Sequence, residues 1–349
     1  MSAGWASGLP KEPDPQPTVT PTEPSPTPRA DQSALPGIFD LGLVFVTGKG
    51  GVGKTTIAGG LALAAAQQGK RVLVCEADSK GDLSSLFEVA PTTFDARQVT
   101  DGVWAMSMDT EASLREYPKL NLKIPIMGRI GPLAKAFDFV ATAAPGVREI
   151  LTVGKLCYEV RERNYDLVVV DAAASGHIVS QLAAPQAINE LVKVGLIRTQ
   201  TDWMLDILSN PWKTGLVAVT TPEEMPVSET LELAARVAAE TTVRLAGVVV
   251  NRVLPELFGH SEEAVFEELR QPAAVGAMSE AAGGDVEPVL EGARLAVTMR
   301  RTRSAHLERL RSGLDPSTPV LLLPYLFSRT YGLRTTGQVA AALTEELGV

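Results

Sequence analysis

The run FVTGKGGVGKTT, residues 45–56, sets two lysines inside a glycine-rich loop. Its core, GKGGVGKT (48–55), has the spacing G-x-x-x-x-G-K-[ST], follows an apolar run and opens a helical pattern. Gly48, Gly50, Gly51 and Gly53, with Val52 among them, let successive backbone N–H groups close around an anion. The helix start that follows adds a favourable dipole. Lys54 is placed to neutralise β- and γ-phosphates, the Thr55 hydroxyl to reach Mg²⁺, and the Thr56 hydroxyl to reach an α-phosphate. A glycine-rich structural turn is the plainer reading, but it leaves the order strand, loop, helix unexplained. Lys49 is an extra cation that this spacing does not require.

Carboxylates at other strand ends extend the chemistry. Asp171 ends DLVVVD (166–171), where a carboxylate that holds Mg²⁺ through water belongs. Asp78 ends VLVCEAD (72–78), and ligands collect at the carboxyl ends of strands in a doubly wound sheet. There Asp78 would orient an attacking water. Taken alone, each aspartate reads equally well as a plain strand-end residue; with the loop they form a constellation.

The elements that must position these groups are short and almost wholly apolar. They are LGLVFVT (41–47), RVLVCEAD (71–78), VWAMSMD (103–109), DLVVVDA (166–172), TGLVAVTT (214–221), RLAGVVVNRV (244–253) and PVLLLPYL (319–326). Near-continuous apolar runs separated by helical text predict strands covered on both faces. The expected fold is α/β: a P-loop NTPase with a doubly wound, mainly parallel sheet and right-handed crossovers. Residues 110–160 and 178–212 carry helical text without a convincing strand, and predict an added helical subdomain along one edge of the sheet.

Composition narrows the partners. The chain has 349 residues, 45% apolar, enough for a large core, and its net charge of −9 argues against a general nucleic-acid binder. Two cysteines, Cys75 and Cys157, are too few for a disulfide framework or a Cys-x-x-Cys site; a reducing cytoplasm fits, and no zinc is expected. No apolar run reaches the roughly 18 residues of a spanning helix, so membrane contact is at most peripheral. Residues 1–36, rich in Pro, Thr, Ser and acidic side chains, predict a disordered arm, leaving 37–349 as the P-loop domain.

KGGVGKTT resembles the deviant phosphate loop of ATPases that dimerise around nucleotide. Within that class the chain looks most like the arsenite-pump and tail-anchored-protein-targeting ATPase family. DSKGDLSSLF (78–87) resembles its first switch, and DAAASGH (171–177) its second, with Ser175, Gly176 and His177 as switch residues. APGVREIL (144–151) and TPEEMPVSET (221–230) are similar to two further segments, and VVVNRVLPE points to Asn251 on the adenine side. The resemblance implies ATP and Mg²⁺ as ligands, and a homodimer or a heterodimer with a related ATPase subunit. In it Lys49 reaches across to the other subunit's nucleotide, so that Lys49, Lys54 and Asp78 share the catalysis. An unidentified protein client is also implied.

The chain departs from the family pattern in three places. Ser79, Lys80 and Gly81 replace the residues that normally follow the first-switch aspartate, and Ala174-Ser175 replaces a Pro-Thr pair. His177 reads equally as a loop-shaping residue or as a transducer of nucleotide state. The cysteines suit neither a zinc-bridged dimer nor an arsenite site. The segments 121–146 and 199–212 are candidate client faces, though packing on the chain's own core is the simpler expectation, and MRRTRSAHLERLR (299–311) reads as a solvated basic face. A nucleotide-binding switch with little turnover, such as the regulatory half of a heterodimer, is the alternative function.

Overall fold

Every residue of β1 (Leu43–Gly48) is buried, as a strand must be when helices cover both faces of its sheet. The computed structural model describes residues 35–78, 81–113, 116, 146–328 and 332–349. Among them β1 is joined by β2 (Val72–Glu76), β3 (Arg97–Thr100), β4 (Val103–Ser107), β5 (Leu167–Asp171), β6 (Thr214–Thr220), β7 (Arg244–Val253) and β8 (Val320–Pro324). The strand order is β3-β4-β2-β5-β1-β6-β7-β8, and every pairing is parallel except β3 with β4. Residues 36–349 form one compact unit.

Alternation along the strands builds two cores. Leu43, Phe45, Leu73, Cys75, Val168 and Val170 face one layer of helices, while Val44, Val46, Val72, Val74, Leu167 and Val169 face the other. The second layer holds α1 (Lys54–Gln67), the short α2 (Asp82–Leu86) and, at the end of the chain, α10 (Leu333–Leu347). The first layer holds α3 (Val147–Arg161), α4 (Ser175–Leu191), α5 (Leu196–Leu208) and α6 (Glu224–Glu240). Beyond β7 come α7 (His260–Leu269), α8 (Pro272–Ala282) and the long α9 (Glu287–Gly313). Only the C-terminal half of α9 reaches the core, through Leu307 and Leu310.

Two expectations change. The helical text of 178–212 does not line an edge of the sheet: Ile178, Val179, Leu182, Met204, Ile207 and Leu208 are buried against its face. The reason is topological. β5 occupies the middle of the sheet, so the chain returning from it to β6 must cross the face over β1. The described part of 110–160 behaves alike, with Leu156 and Cys157 of α3 in the same core. The antiparallel β3, unforeseen in the sequence, joins β4 through Asp101-Gly102, with Gly102 at φ +71°. Its half-exposed edge position explains its weak apolar signal.

The first-layer packing also decides the candidate client face on 199–212. Met204, Ile207 and Leu208 belong to the core, so that face is structural. The other candidate, 121–146, lies outside the described residues except for Gly146, and so do residues 1–34 of the arm. In the basic cluster, Arg303 pairs with Glu223 at 3.3 Å and Arg301 with Glu263 of α7.

The α1–α10 contact depends on the small residues of α1. A Cβ on Gly60 would lie 2.6 Å from Val339 Cγ1 and 3.2 Å from Leu343 Cδ1, whereas one on Gly337 of α10 would meet nothing within 4 Å. Gly60→Val is therefore expected to destabilise the fold by about 1–3 kcal/mol through overpacking. Gly337→Ala is expected to stabilise it by about 0.5–1 kcal/mol through helix propensity alone. Urea denaturation of the two variants checks the pair, and equal effects would contradict this packing.

Candidate functional site

The parallel register brings three strand ends together. Val46 lies beside Asp171 and Glu76 beside Asp171, so the loop leaving β1 is flanked by the ends of β5 and, one strand further, β2. Backbone bonds continue past the strands: Ala172 N–H donates to Val46 at 2.9 Å and Ala77 N–H to Asp171 at 3.0 Å. The buried Thr47 hydroxyl donates to the Ala173 carbonyl at 2.7 Å, tying the loop's root to the segment after β5.

The loop needs its glycines for two reasons. At Gly48 a Cβ would sit 2.1 Å from the Val219 carbonyl oxygen of β6, a rigid backbone atom. Gly51 and Gly53 have φ of +84° and +99°, left-handed values that L side chains rarely adopt. Val52 is buried beneath the loop, and its carbonyl accepts a bond from Asn251 Nδ2 at 2.9 Å. Asn251 precedes Arg252, a left-handed residue at φ +60° where the β7–β8 register shifts, and such a bulge re-aims its neighbours. Asn251 thus braces the loop's backbone.

A cavity of about 420 Å³ opens above the strand ends, lined by Gly50, Gly51, Gly53, Lys54, Thr55 and Thr56 of the loop and by Glu76, Asp78, Asp82 and Asp171. Lys54 Nζ donates to the Lys49 carbonyl at 3.2 Å, closing the loop on itself. Thr55 Oγ1 donates to Asp171 Oδ2 at 2.6 Å. Burial pushes the Asp171 carboxyl up to about 6, aided by the neighbouring charges of Glu76 and Asp82 and opposed by the Thr55 hydrogen bond and the Lys54 ammonium. A hydroxyl beside a carboxylate that is costly to ionise unpaired is an all-oxygen donor set, suited to a hard divalent cation such as Mg²⁺.

Glu76 escaped the sequence reading. It is buried, and its carboxylate accepts bonds from the N–H groups of Gly81 at 3.2 Å and Asp82 at 2.9 Å and from the Ser107 hydroxyl at 3.1 Å. It therefore ties the segment after Asp78 to β2 and β4. The sequence offers one signal for it, an acidic side chain at the end of the otherwise apolar strand Val72–Glu76, but its partners are not local.

The remaining predicted residues divide. Asp78 lines the cavity with its side chain 43% exposed, 4.0 Å from Arg148 Nη2; Ser79 and Lys80 lie outside the described residues. Ser175 opens α4 beside Ala174, which lines the cavity, while Gly176 and His177 are exposed and absent from its wall. Lys49 is absent from the wall too: its ammonium pairs with Glu229 of α6 at 2.5 Å. Cys75 and Cys157 are buried free thiols whose burial pushes their pKa values well up, as inert core residues.

A parallel doubly wound sheet with this loop at its central strand defines the P-loop NTPase fold. The profile of the anion-transporting ATPase family matches residues 41–205 and 194–271, and the chain belongs to that family, which joins the arsenite-pump and tail-anchored-protein-targeting ATPases. ATPase BagA of Mycobacterium tuberculosis is 35% identical over 224 residues, covering 61% of this chain. The chain spans 65% of the length of that relative. The putative arsenical pump-driving ATPase of Halobacterium salinarum is 26% identical over 249 residues, 65% of this chain and 37% of that protein. The ATPase ASNA1 homolog of Plasmodium vivax is 24% identical over 343 residues, 87% of this chain and 88% of its own.

The raised Asp171 pKa has a sign that can be tested. An unfolded Asp titrates near 3.8 and the folded one at about 6, so the folded chain holds the proton more tightly. The resulting penalty on folding is absent below the unfolded value, builds as pH rises between the two, and is complete above the folded value. Without nucleotide or Mg²⁺, Asp171→Asn should gain stability over the unaltered chain by about 1–3 kcal/mol between roughly pH 4 and pH 7.5. Urea midpoints at the two pH values measure this, and a constant difference would refute it.

Proposed function

We propose that the chain is a Mg-ATP-dependent ATPase of the cytoplasm that works as a nucleotide-gated dimer, homomeric or with a related ATPase subunit, and couples the ATP cycle to contact with a protein client. The observation that carries this reading is the division of labour between the two lysines: Lys54 lines its own cavity, and Lys49 does not. A cation held outside its own site is available to a neighbouring one.

In this reading the loop amides of Gly50, Gly51 and Gly53 cradle the β-phosphate and Lys54 neutralises the β- and γ-oxygens. The Thr55 hydroxyl would ligate Mg²⁺ directly and Asp171 would hold it through water; when bound, the ion neutralises charge between the β- and γ-phosphates. Thr56 reaches the α-phosphate and Asn251 braces the loop on the adenine side. Asp78 orients the water for in-line attack, on a segment whose position Glu76 fixes. Lys49 of a partner stabilises charge on the transferring phosphoryl group, as a cationic finger delivered in trans. Ser175, Gly176 and His177, which follow the wall residue Ala174 in the first turn of α4, relay the change between nucleotide states. The printed name of the Halobacterium relative concerns arsenicals; with two buried cysteines this chain is not proposed to carry them. Nor is it proposed to bind zinc or nucleic acid. No helix among the described residues is long and apolar enough to cross a membrane, so any membrane contact is proposed to be peripheral.

A second reading has its own observation. Asp78 is 43% exposed, with Arg148 at 4.0 Å, in a segment that departs from the family pattern. Slow hydrolysis, and a role as a switch or as the regulatory half of a heterodimer, would follow.

Steady-state hydrolysis across a protein concentration series separates the two. The first reading expects a specific rate that rises with concentration, no turnover in Lys54→Ala, and a fall of roughly 100- to 1000-fold in Lys49→Ala with ATP binding retained. Tight ATP binding without turnover at any concentration would sink the enzyme reading and leave the switch.

A further inference from the structure

We infer that Glu229 is a positioning residue for Lys49, a cis latch that parks the finger on the chain's own α6 until a partner's nucleotide displaces it. The inference rests on the reading of Lys49 given above and adds the residue that controls it.

Both ends of the contact are held in place. The Lys49 carbonyl accepts the Lys54 ammonium at 3.2 Å, which fixes the loop backbone from which the Lys49 side chain leaves. Glu229 sits on a helix anchored by Val227, Leu233 and Val237, all buried in the sheet core. Between these fixed points Lys49 Nζ meets Glu229 Oε1 at 2.5 Å, with each side chain 32% exposed. The pair is therefore partly shielded yet open to exchange.

The chemistry follows from competition for one ammonium. Four methylenes give Lys49 a flexible stem and three donors that any nearby anion can capture. Without a carboxylate on α6, Lys49 would be free to fold toward the phosphates of its own cavity, beside Lys54. Glu229 gives it an anion outside that cavity. Dimer closure then exchanges a single carboxylate for a multiply charged phosphate, so that the exchange favours the nucleotide-bound dimer and opposes pairing without nucleotide. Partly exposed ion pairs are weak enough for such an exchange to be reversible.

Glu229→Gln keeps the volume and removes the charge. Two readouts apply, with a thermal melt confirming that each variant is folded. In the nucleotide-free protein, a pulse of acetic anhydride followed by mass spectrometry should acetylate Lys49 about two- to fivefold faster in Glu229→Gln than in the unaltered chain. In the hydrolysis series, the protein concentration giving half-maximal specific rate should fall, by about two- to fivefold per latch and up to roughly 25-fold for a dimer that breaks two. Glu229→Gln combined with Lys49→Ala should show no shift relative to Lys49→Ala alone, because the latch has nothing left to hold. An unchanged acetylation rate or an unchanged half-maximal concentration overturns the latch, while a defective Lys49→Ala leaves the ATPase reading standing. Undiminished turnover in Lys49→Ala overturns that reading and the latch with it.

Discussion

The register of β5 against β1 is the constraint on which the site depends. With Val46 opposite Asp171, the carboxylate arrives beside the first turn of α1, close enough for Thr55 to donate to it at 2.6 Å. A slip of one residue would turn Asp171 to the opposite face of the sheet. Val168 and Val170 are buried in one core, and Leu167 and Val169 in the other. Such a slip would exchange the two sets of side chains between differently shaped cores, which makes it costly. The ladder that builds the core therefore also sets the site's geometry.

Electrostatics then explains why the cavity is poised for a charged ligand. Glu76, Asp78, Asp82 and Asp171 gather around Lys54, the one lysine that lines the cavity among the described residues. Burial raises the Asp171 pKa, and the surrounding carboxylates raise it further. Such a wall is unfavourable for a bare phosphate and favourable for a phosphate that brings its own divalent cation. Glu76 accepts bonds from two amides and a hydroxyl, and so ties the segment after Asp78 to the neighbouring strands. One carboxylate is spent on architecture so that another can be held near the chemistry.

The two helical layers have different tasks. The layer of α1 and α10 packs closely through glycine and alanine, which suits a helix whose first turn must hold loop residues in place. The layer of α3, α4, α5 and α6 meets the site at three points: Ala174 lines the cavity just before α4, Arg148 of α3 lies near Asp78, and Glu229 of α6 holds Lys49 outside the cavity. The similarity to the anion-transporting ATPase family covers residues 41–271, which include α1 and α2 of one layer and α3 to α6 of the other.

Much of this was legible before any coordinates. The phosphate loop, its order between strand and helix, the strand-end positions of Asp78 and Asp171, and seven of the strands are local patterns, set by glycine conformations and by apolar runs that only a doubly covered sheet can accommodate. Three matters were not local. Glu76 drew no reading from the sequence, because its partners Gly81, Asp82 and Ser107 come from the start of α2 and a neighbouring strand. The helices of 178–212 looked like an appendage, because their place over the sheet follows from β5 lying beside β1, which no short window encodes. The contact that Lys49 makes within its own chain was not foreseen, because it depends on a carboxylate 180 residues away. Spacing along the chain specifies what a loop can bind; which way a flexible cation points is settled by whichever anion the fold brings within reach.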